Sequence, residues 1–367
     1  MTSAATMTVG RPAAARRKVV LASHFPLTEV SGVTVILTEI LHLWPSIAPA
    51  AEIAHFTLSD LLSGAAFEGG IGDFGQTSSV LIGINLHLEV QWQQSLELFK
   101  LCSLKGIPAY NYVHDYWAHH RDNVDELTTR HGVRLLASTD FVAGLLRRAG
   151  FDAVTVPLGV RLPDSASLRR AEGGFGVVGA AGRLSPRKRF PDIVRGFCAA
   201  RTAGERLYLR LLPSLVFDPA ADAAQFSDIV DEVRRAAAEG VVEIDRTVAA
   251  RNDYSRYSLY VCASSYEGFS MTPIEASYWG CPPLISDIPP HRRIADTLFG
   301  DRAEDYVFPV GDTEALARLL RDELTTGRRR KFLAGRQEQI RQTIAATWSL
   351  ETTVGALARL AETPAHD

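Results

Sequence analysis

Short apolar or β-branched runs alternate with helical stretches along the whole chain, a pattern that predicts parallel α/β folding. In the first half, Lys18–Ser23, Glu52–Thr57, Ser79–Asn85, Ile107–His114, Val133–Ala137 and Ala153–Pro157 read as strands. In the second half, Phe175–Gly182, Arg206–Leu212, Val241–Asp245, Ser258–Ala263 and Pro283–Ser286 do the same. Between them Leu158–Gly174 carries Gly159, Pro163, Gly173 and Gly174 with little apolar periodicity, which suits a hinge-like linker. The C-terminal stretch predicts helices alone. Asp312 or Thr313 can cap the first, the second runs from Arg328 to about Ala346, and Ser349 can cap Leu350–Glu362. That last helix has no strand left to cover in its own half, so its Leu357 and Leu360 face is expected to pack back across the other domain.

Composition narrows the class. With 367 residues the chain exceeds the roughly 300 at which a single core stops growing, so two domains are expected. Apolar residues make up 46% and charged residues 22%, values that exclude a disordered or fibrous chain. No run approaches the roughly 18 apolar residues of a membrane span. Residues 1–17 are small, polar and basic, without an apolar h-region, and read as a floppy tail. Cys102, Cys198, Cys262 and Cys281 stand far apart, which suggests reduced thiols and a cytoplasmic location. A net charge of −3 offers no footprint for nucleic acid.

Two G-x-G-x-x-G matches, Gly70–Gly75 and Gly174–Gly179, fall before or inside strands. A dinucleotide fingerprint must instead follow a strand and open a helix. No D-x-D triplet occurs, which removes the simplest way to hold a divalent cation against a diphosphate. His119 and His120 lack ligand spacing, so no metal site is expected.

Three features sit where an open α/β sheet binds ligands, just past strand C-termini. Gly182 to Arg189 (GRLSPRKR) places Arg183, Arg187, Lys188 and Arg189 on one strand-to-helix turn, and a polyanion would relieve their repulsion. After Ser258–Ala263 comes SSYEGFSMTPIE, in which Gly268 permits close backbone approach. Free N–H groups of Phe269, Ser270 and Met271 would there face an anion near a helix start. Glu275 has two readings at this stage, a ligand or the N3 member of a Thr272–Pro273–Ile274–Glu275 capping box. In the first half, His24 to Val33 feeds an apolar helix over Val33–Trp44, and Ile107–His114 ends in His114-Asp115-Tyr116-Trp117.

Together these motifs resemble the retaining GT-B glycosyltransferases of the large GT4-type family. Their E-G-F-G-x-x-x-x-E-A-x-x-x-G-x-P is here EGFSMTPIEASYWGCPP, and their G-R-L-x-x-x-K is here GRLSPRK. The departures are Ser270 and Ser31 where the family usually has Gly, and Arg189 where Gly often follows the Lys. The resemblance implies a GT-B fold, with two Rossmann-like domains facing across a cleft and the C-terminal helix crossing back. On that reading residues 18–160 form the acceptor domain, 161–174 the linker, 175–346 the donor domain, and 347–367 the returning helix. It also implies a nucleotide-sugar co-substrate, a UDP-sugar being favoured, with no metal required.

Arg183 and Lys188 would neutralise the departing diphosphate, and His114 and Glu267 would serve the transferred sugar. Gly32, Gly268, Phe269, Ser270, Met271 and Glu275 would hold the donor, with the base near Thr247 and Val248. Either cation is expected to be needed for transfer and dispensable for folding. The acceptor would meet Glu29, His87, Asp115, Tyr116 and Trp117. Between Val19 and Val160 seven Lys and Arg face fourteen Asp and Glu, an imbalance that disfavours anionic membranes. It suits a small soluble acceptor such as an aminocyclitol or amino sugar, with no stable membrane association. The rival readings are a catalytically silent sugar-nucleotide-binding partner subunit, a sugar-nucleotide epimerase, or a glycoside phosphorylase on the same scaffold.

Overall fold

The computed structural model describes residues 17–28, 32–63, 79–89, 91–163, 176–183, 185–202, 204–212, 231, 233–245 and 254–362. Among them are two sheets. The first contains β1 (Arg17–Ser23), β2 (Ala51–Thr57), β3 (Ser79–Ile84), β4 (Ala109–Val113), β5 (Arg134–Ala137) and β6 (Ala153–Thr155). The second contains β7 (Val177–Arg183), β8 (Arg206–Leu212), β9 (Val242–Asp245), β10 (Leu259–Cys262), β11 (Pro283–Ser286) and β12 (Val307–Phe308). Strand order is β2-β1-β3-β4-β5-β6 in one and β12-β11-β10-β7-β8-β9 in the other, with every pair parallel.

The apolar runs work as anticipated for strands buried on both faces. Val19 and Leu21 enter the cluster that holds Trp44, whereas Val20 and Ala22 turn to the opposite cluster with Phe99. The expected strands recur with slightly different ends: His114 lies one residue past β4, and Phe175 is outside the described residues. β12 was not anticipated, because two residues carry no periodicity. Gly176, with φ +86°, makes a turn before β7, and Val177 to Gly179 lie inside that strand, so the second G-x-G-x-x-G does not follow a strand as a dinucleotide fingerprint must.

Each sheet reverses direction once. β1 has β2 on one side and β3 on the other, and β7 lies between β8 and β10. Strand C-termini part at such switch points and leave a crevice.

The terminal helix crosses back as expected. Leu350–Glu362 packs on Gly32–Ile47 and on β1 and β3, burying Leu350, Val354 and Leu357, with Leu360 against the same cluster. Its entry is stitched to the outgoing chain, since Val160 N–H donates to the Trp348 carbonyl (2.8 Å) and Leu350 N–H to the Val160 carbonyl (3.1 Å). At Gly159 a β-carbon would stand 2.3 Å from the Ser349 oxygen, so the two crossing strands of chain touch backbone to backbone. Gly159→Ala is therefore expected to cost about 1–3 kcal/mol by overpacking. Urea denaturation measures this, and an unchanged midpoint would show that the crossing has slack.

Candidate active site

A cavity of about 450 Å³ lies between the two switch points. From the first sheet it is lined by His24, Gly32, Asn85, His114, Asp115 and Trp117. From the second come Arg183, Arg187, Lys188, Glu267, Glu275 and the segment Phe269 to Met271. A cavity of this size accommodates a drug-sized ligand.

β7 delivers the cations. Arg183 is its last residue, and a 3-10 turn over Pro186–Lys188 brings Arg187 and Lys188 to the same wall. Lys188 Nζ lies 2.6 Å from Glu267 Oε1, and both side chains are largely buried. Burial alone would raise the Glu267 carboxyl. The charges of Lys188 and Arg187 and the Lys188 hydrogen bond outweigh it and bring the pKa to about 2. Arg183 makes no ion pair among the described residues; burial and the neighbouring Arg187 lower its pKa, yet a guanidinium stays charged. Arg189 adopts φ +51° and ψ +41°, the left-handed region for which glycine is the usual residue. Its side chain pairs with Asp192 and does not line the cavity.

β10 delivers the turn that faces them. Gly268 is pressed against the other sheet, where a β-carbon would lie 1.8 Å from the His114 carbonyl oxygen. Its N–H donates to Asp115 Oδ1 (3.0 Å), and its carbonyl accepts from Thr139 Oγ1 (3.0 Å). The Tyr266 hydroxyl brackets the Tyr116 peptide, donating to its carbonyl at 2.9 Å. The helix Met271–Tyr278 starts two residues earlier than a Pro273 start would give, and its N-cap is Ser270. The capping-box reading of Glu275 therefore fails: Glu275 sits further into the helix and accepts from the Tyr254 hydroxyl (2.6 Å) at the cavity wall.

The first sheet contributes a neutral, aromatic wall. Burial pushes the His114 ring down to about 4, so it is uncharged at neutral pH. Asn85, left-handed at φ +55°, holds this edge, its Oδ1 accepting from His114 N–H (2.7 Å) and its carbonyl lying 3.2 Å from His24 Nε2. Trp117 lines the cavity with the Arg187 guanidinium 5.8 Å from its ring centre. A β-carbon on Gly32 would lie 3.4 Å from Met271 Cε, which marks how near the two walls come.

Most of the residues singled out from sequence thus meet here: Gly32, His114, Asp115, Trp117, Arg183, Lys188, Glu267, Phe269, Ser270, Met271 and Glu275 all line the cavity. Gly268 adjoins it through its contact with Asp115. Two proposed acceptor residues do not line it. His87 is fully buried with its ring nitrogens on Asn111 and the Asp115 carbonyl, and Tyr116 packs into the core beside Val113 and Val124. Glu29, Ser31, Thr247 and Val248 lie outside the described residues. Asp115 is answered by the Gly268 N–H and by Arg187 at 3.5 Å, so it is not an open carboxylate. Sequence reasoning passed over Asn85, Tyr254 and His291, whose importance comes from partners 21 or more positions away. No local pattern marks them.

Two parallel sheets whose switch points face each other across a ligand-sized cavity have the GT-B arrangement. Residues 249–339 match the family described as glycosyl transferases group 1. The chain has the GT-B fold, and its segment 249–339 is similar to that glycosyltransferase family. Over 158 residues it is 27% identical to the GtfA subunit of the UDP-N-acetylglucosamine–peptide N-acetylglucosaminyltransferase of Streptococcus pneumoniae. That stretch is 42% of this chain and only 28% of the relative. Among solved structures, HepE of Anabaena in complex with UDP and glucose superposes with a TM-score of 0.67 at 14% identity, over 94% of this chain and 99% of that one. Sucrose-phosphate synthase of Thermosynechococcus elongatus reaches 0.71 at 15% identity, over 95% and 98%. The pneumococcal O-GlcNAc transferase GtfA, in complex with UDP and GlcNAc, reaches 0.58 at 19% over 79% and 57%. At these identities the structural likeness is one of fold.

The Lys188–Glu267 pair bears on the expectation that Lys188 is dispensable for folding. Lys188→Ala strands a buried carboxylate, and breaking such a pair costs about 3–5 kcal/mol. Urea denaturation at pH 7 is expected to show that loss, with partial recovery in Lys188→Met/Glu267→Gln. Because the folded Glu267 pKa is depressed, its contribution is complete above its ordinary value of 4.5 and is lost as pH falls towards 2. Equal stability of wild type and Lys188→Ala at pH 7 would contradict the assignment.

Proposed function

We propose that the chain is a retaining glycosyltransferase of the GT4 type. It would move a sugar from a UDP-sugar to a small soluble hydroxylated acceptor, with residues 18–160 serving the acceptor and 175–346 the donor. The observation that carries this is one cavity wall on which Arg183, Lys188 and a helix N-terminus converge, with Glu275 one helical turn further along. That wall suits a nucleoside diphosphate: cations and backbone N–H groups for the phosphates, a carboxylate for the ribose hydroxyls. UDP as the nucleotide is supported by the UDP in the HepE and GtfA complexes.

On this reading Lys188 is held by Glu267 until the leaving diphosphate gains charge, and Arg183, without an ion pair among the described residues, meets it directly. Neutral His114 and Glu267 border the space for the transferred sugar. The acceptor hydroxyl attacks from the face the diphosphate leaves, and a β-phosphate oxygen takes its proton, so no protein nucleophile is required. Trp117 offers a ring face for the acceptor. For that acceptor the aminocyclitol or amino-sugar class is our first choice, supported by the carboxylate surplus of the first domain. With Asp115 already answered, recognition inside the cavity would rest on hydroxyls. Among the described residues no helix is long and apolar enough to cross a membrane.

The test is a panel of UDP-sugars with aminocyclitol, amino-sugar, neutral-sugar and anionic-vesicle acceptors, run with and without excess chelator. Transfer to a soluble acceptor, with anomeric configuration kept and activity undiminished by chelator, is expected. Complete, magnesium-reversible loss would overturn metal independence. Donor binding with no transfer to any acceptor would favour a silent partner subunit.

Arg183→Ala is expected to reduce kcat/KM at least about a hundredfold, because one preorganised charge-stabilising donor contributes roughly 2.7–4 kcal/mol. Circular dichroism should show the fold intact. Near wild-type turnover would sink the role given to Arg183.

A further inference from the structure

Ser270 stands where the resemblance expects glycine, and the structure accounts for its hydroxyl. It is the N-cap residue of Met271–Tyr278, yet its side chain makes no capping hydrogen bond. A serine in that place ordinarily accepts from an N–H group of the first turn. Here Oγ lies 2.9 Å from His291 Nε2 instead, and both side chains are buried.

The ring's other nitrogen decides the direction of this bond. His291 Nδ1 is 3.0 Å from the Ser286 carbonyl and 3.1 Å from the Ser286 hydroxyl, which itself donates to the Ser264 carbonyl at 2.5 Å. A carbonyl only accepts, so Nδ1 carries a proton, and with a single proton on the ring Nε2 is an acceptor. Ser270 must then be the donor. Its hydroxyl is thus engaged by a buried ring, and the Cys262 sulfur also lies 3.7 Å from Nε2. The N–H groups that open a helix have no intrahelical partner, and Met271 and Thr272 line the cavity.

We propose that His291 is a positioning residue for the donor diphosphate: Pro273 has no N–H to offer a cap, and by holding the Ser270 hydroxyl His291 keeps it from the one remaining target, leaving the Thr272 N–H group open to phosphate. The inference rests on the UDP-sugar reading above. Glycine at 270 reaches the same end by having no hydroxyl. Serine reaches it only with an imidazole beneath.

The logic predicts non-additivity, which a merely structural histidine would not produce. UDP affinity is measured by calorimetry for wild type, His291→Ala, Ser270→Gly and the double variant. His291→Ala is expected to weaken UDP binding about tenfold in the wild-type background, whereas the double variant binds within about threefold of Ser270→Gly. Equal weakening by His291→Ala in both backgrounds, or none in either, would overturn the proposal. Ser270→Ala provides a second background without the hydroxyl. Adding His291→Ala there should change UDP affinity less than about threefold, and a tenfold loss would mean that His291 acts on the turn by another route, contrary to the proposal. His291→Gln, which can donate to the Ser286 carbonyl and accept from Ser270, should retain affinity, and its failure to do so would also count against it. Wild-type protein is measured first: no UDP binding there overturns the donor assignment, and this inference falls with it.

Discussion

The contact between Gly268 and the His114 carbonyl brings two backbones together across the cleft, and the geometry of the site follows from it. With no side chain at 268, the peptide can place its N–H on Asp115 and its carbonyl on Thr139, so both its polar groups are satisfied by the opposite sheet. Glu267, one residue before, is thereby aimed at Lys188, and Phe269 to Met271, just after, form the cavity wall. Any larger residue would push the sheets apart. The closeness of the cleft and the aim of the donor turn are one constraint.

Charge in the cleft is arranged around that constraint. Buried charges need partners, and the cations of the β7 turn divide accordingly. Lys188 is answered by Glu267 and Arg187 by Asp115, and Arg189 turns away to Asp192. The Arg187 carbonyl also accepts from Ser265 N–H at 2.8 Å, which ties the basic turn to the glycine turn. The two loops cannot move independently, so a ligand that shifts one repositions the other.

The departures from the family pattern become intelligible only here. Arg189 accepts a left-handed backbone that costs a non-glycine residue about 1–2 kcal/mol, and its ion pair to Asp192 at the start of the next helix offsets part of that. Ser270 brings a hydroxyl to a crowded turn and has a buried imidazole to receive it. In both cases a side chain that looks inconsistent with the motif is matched by a partner elsewhere in the chain.

What could be read from sequence was local. Buried parallel strands are near-continuous apolar runs, so ten of the twelve strands among the described residues could be placed closely, together with the terminal helix, whose Leu357 face needed a surface to cover. β12 was too short to signal, and Phe175–Gly182 was located with its start displaced. The donor motifs were legible because a glycine turn, an adjacent carboxylate and a cation cluster need fixed spacing along one chain. Only the tertiary structure decided what those residues face. It decided Glu275 as cavity wall over cap, withdrew His87 and Tyr116 into the core, and gave Asp115 to Gly268. The Glu275–Tyr254, His87–Asn111 and Asp115–Gly268 bonds each join residues more than twenty positions apart, in directions that no one-dimensional pattern encodes.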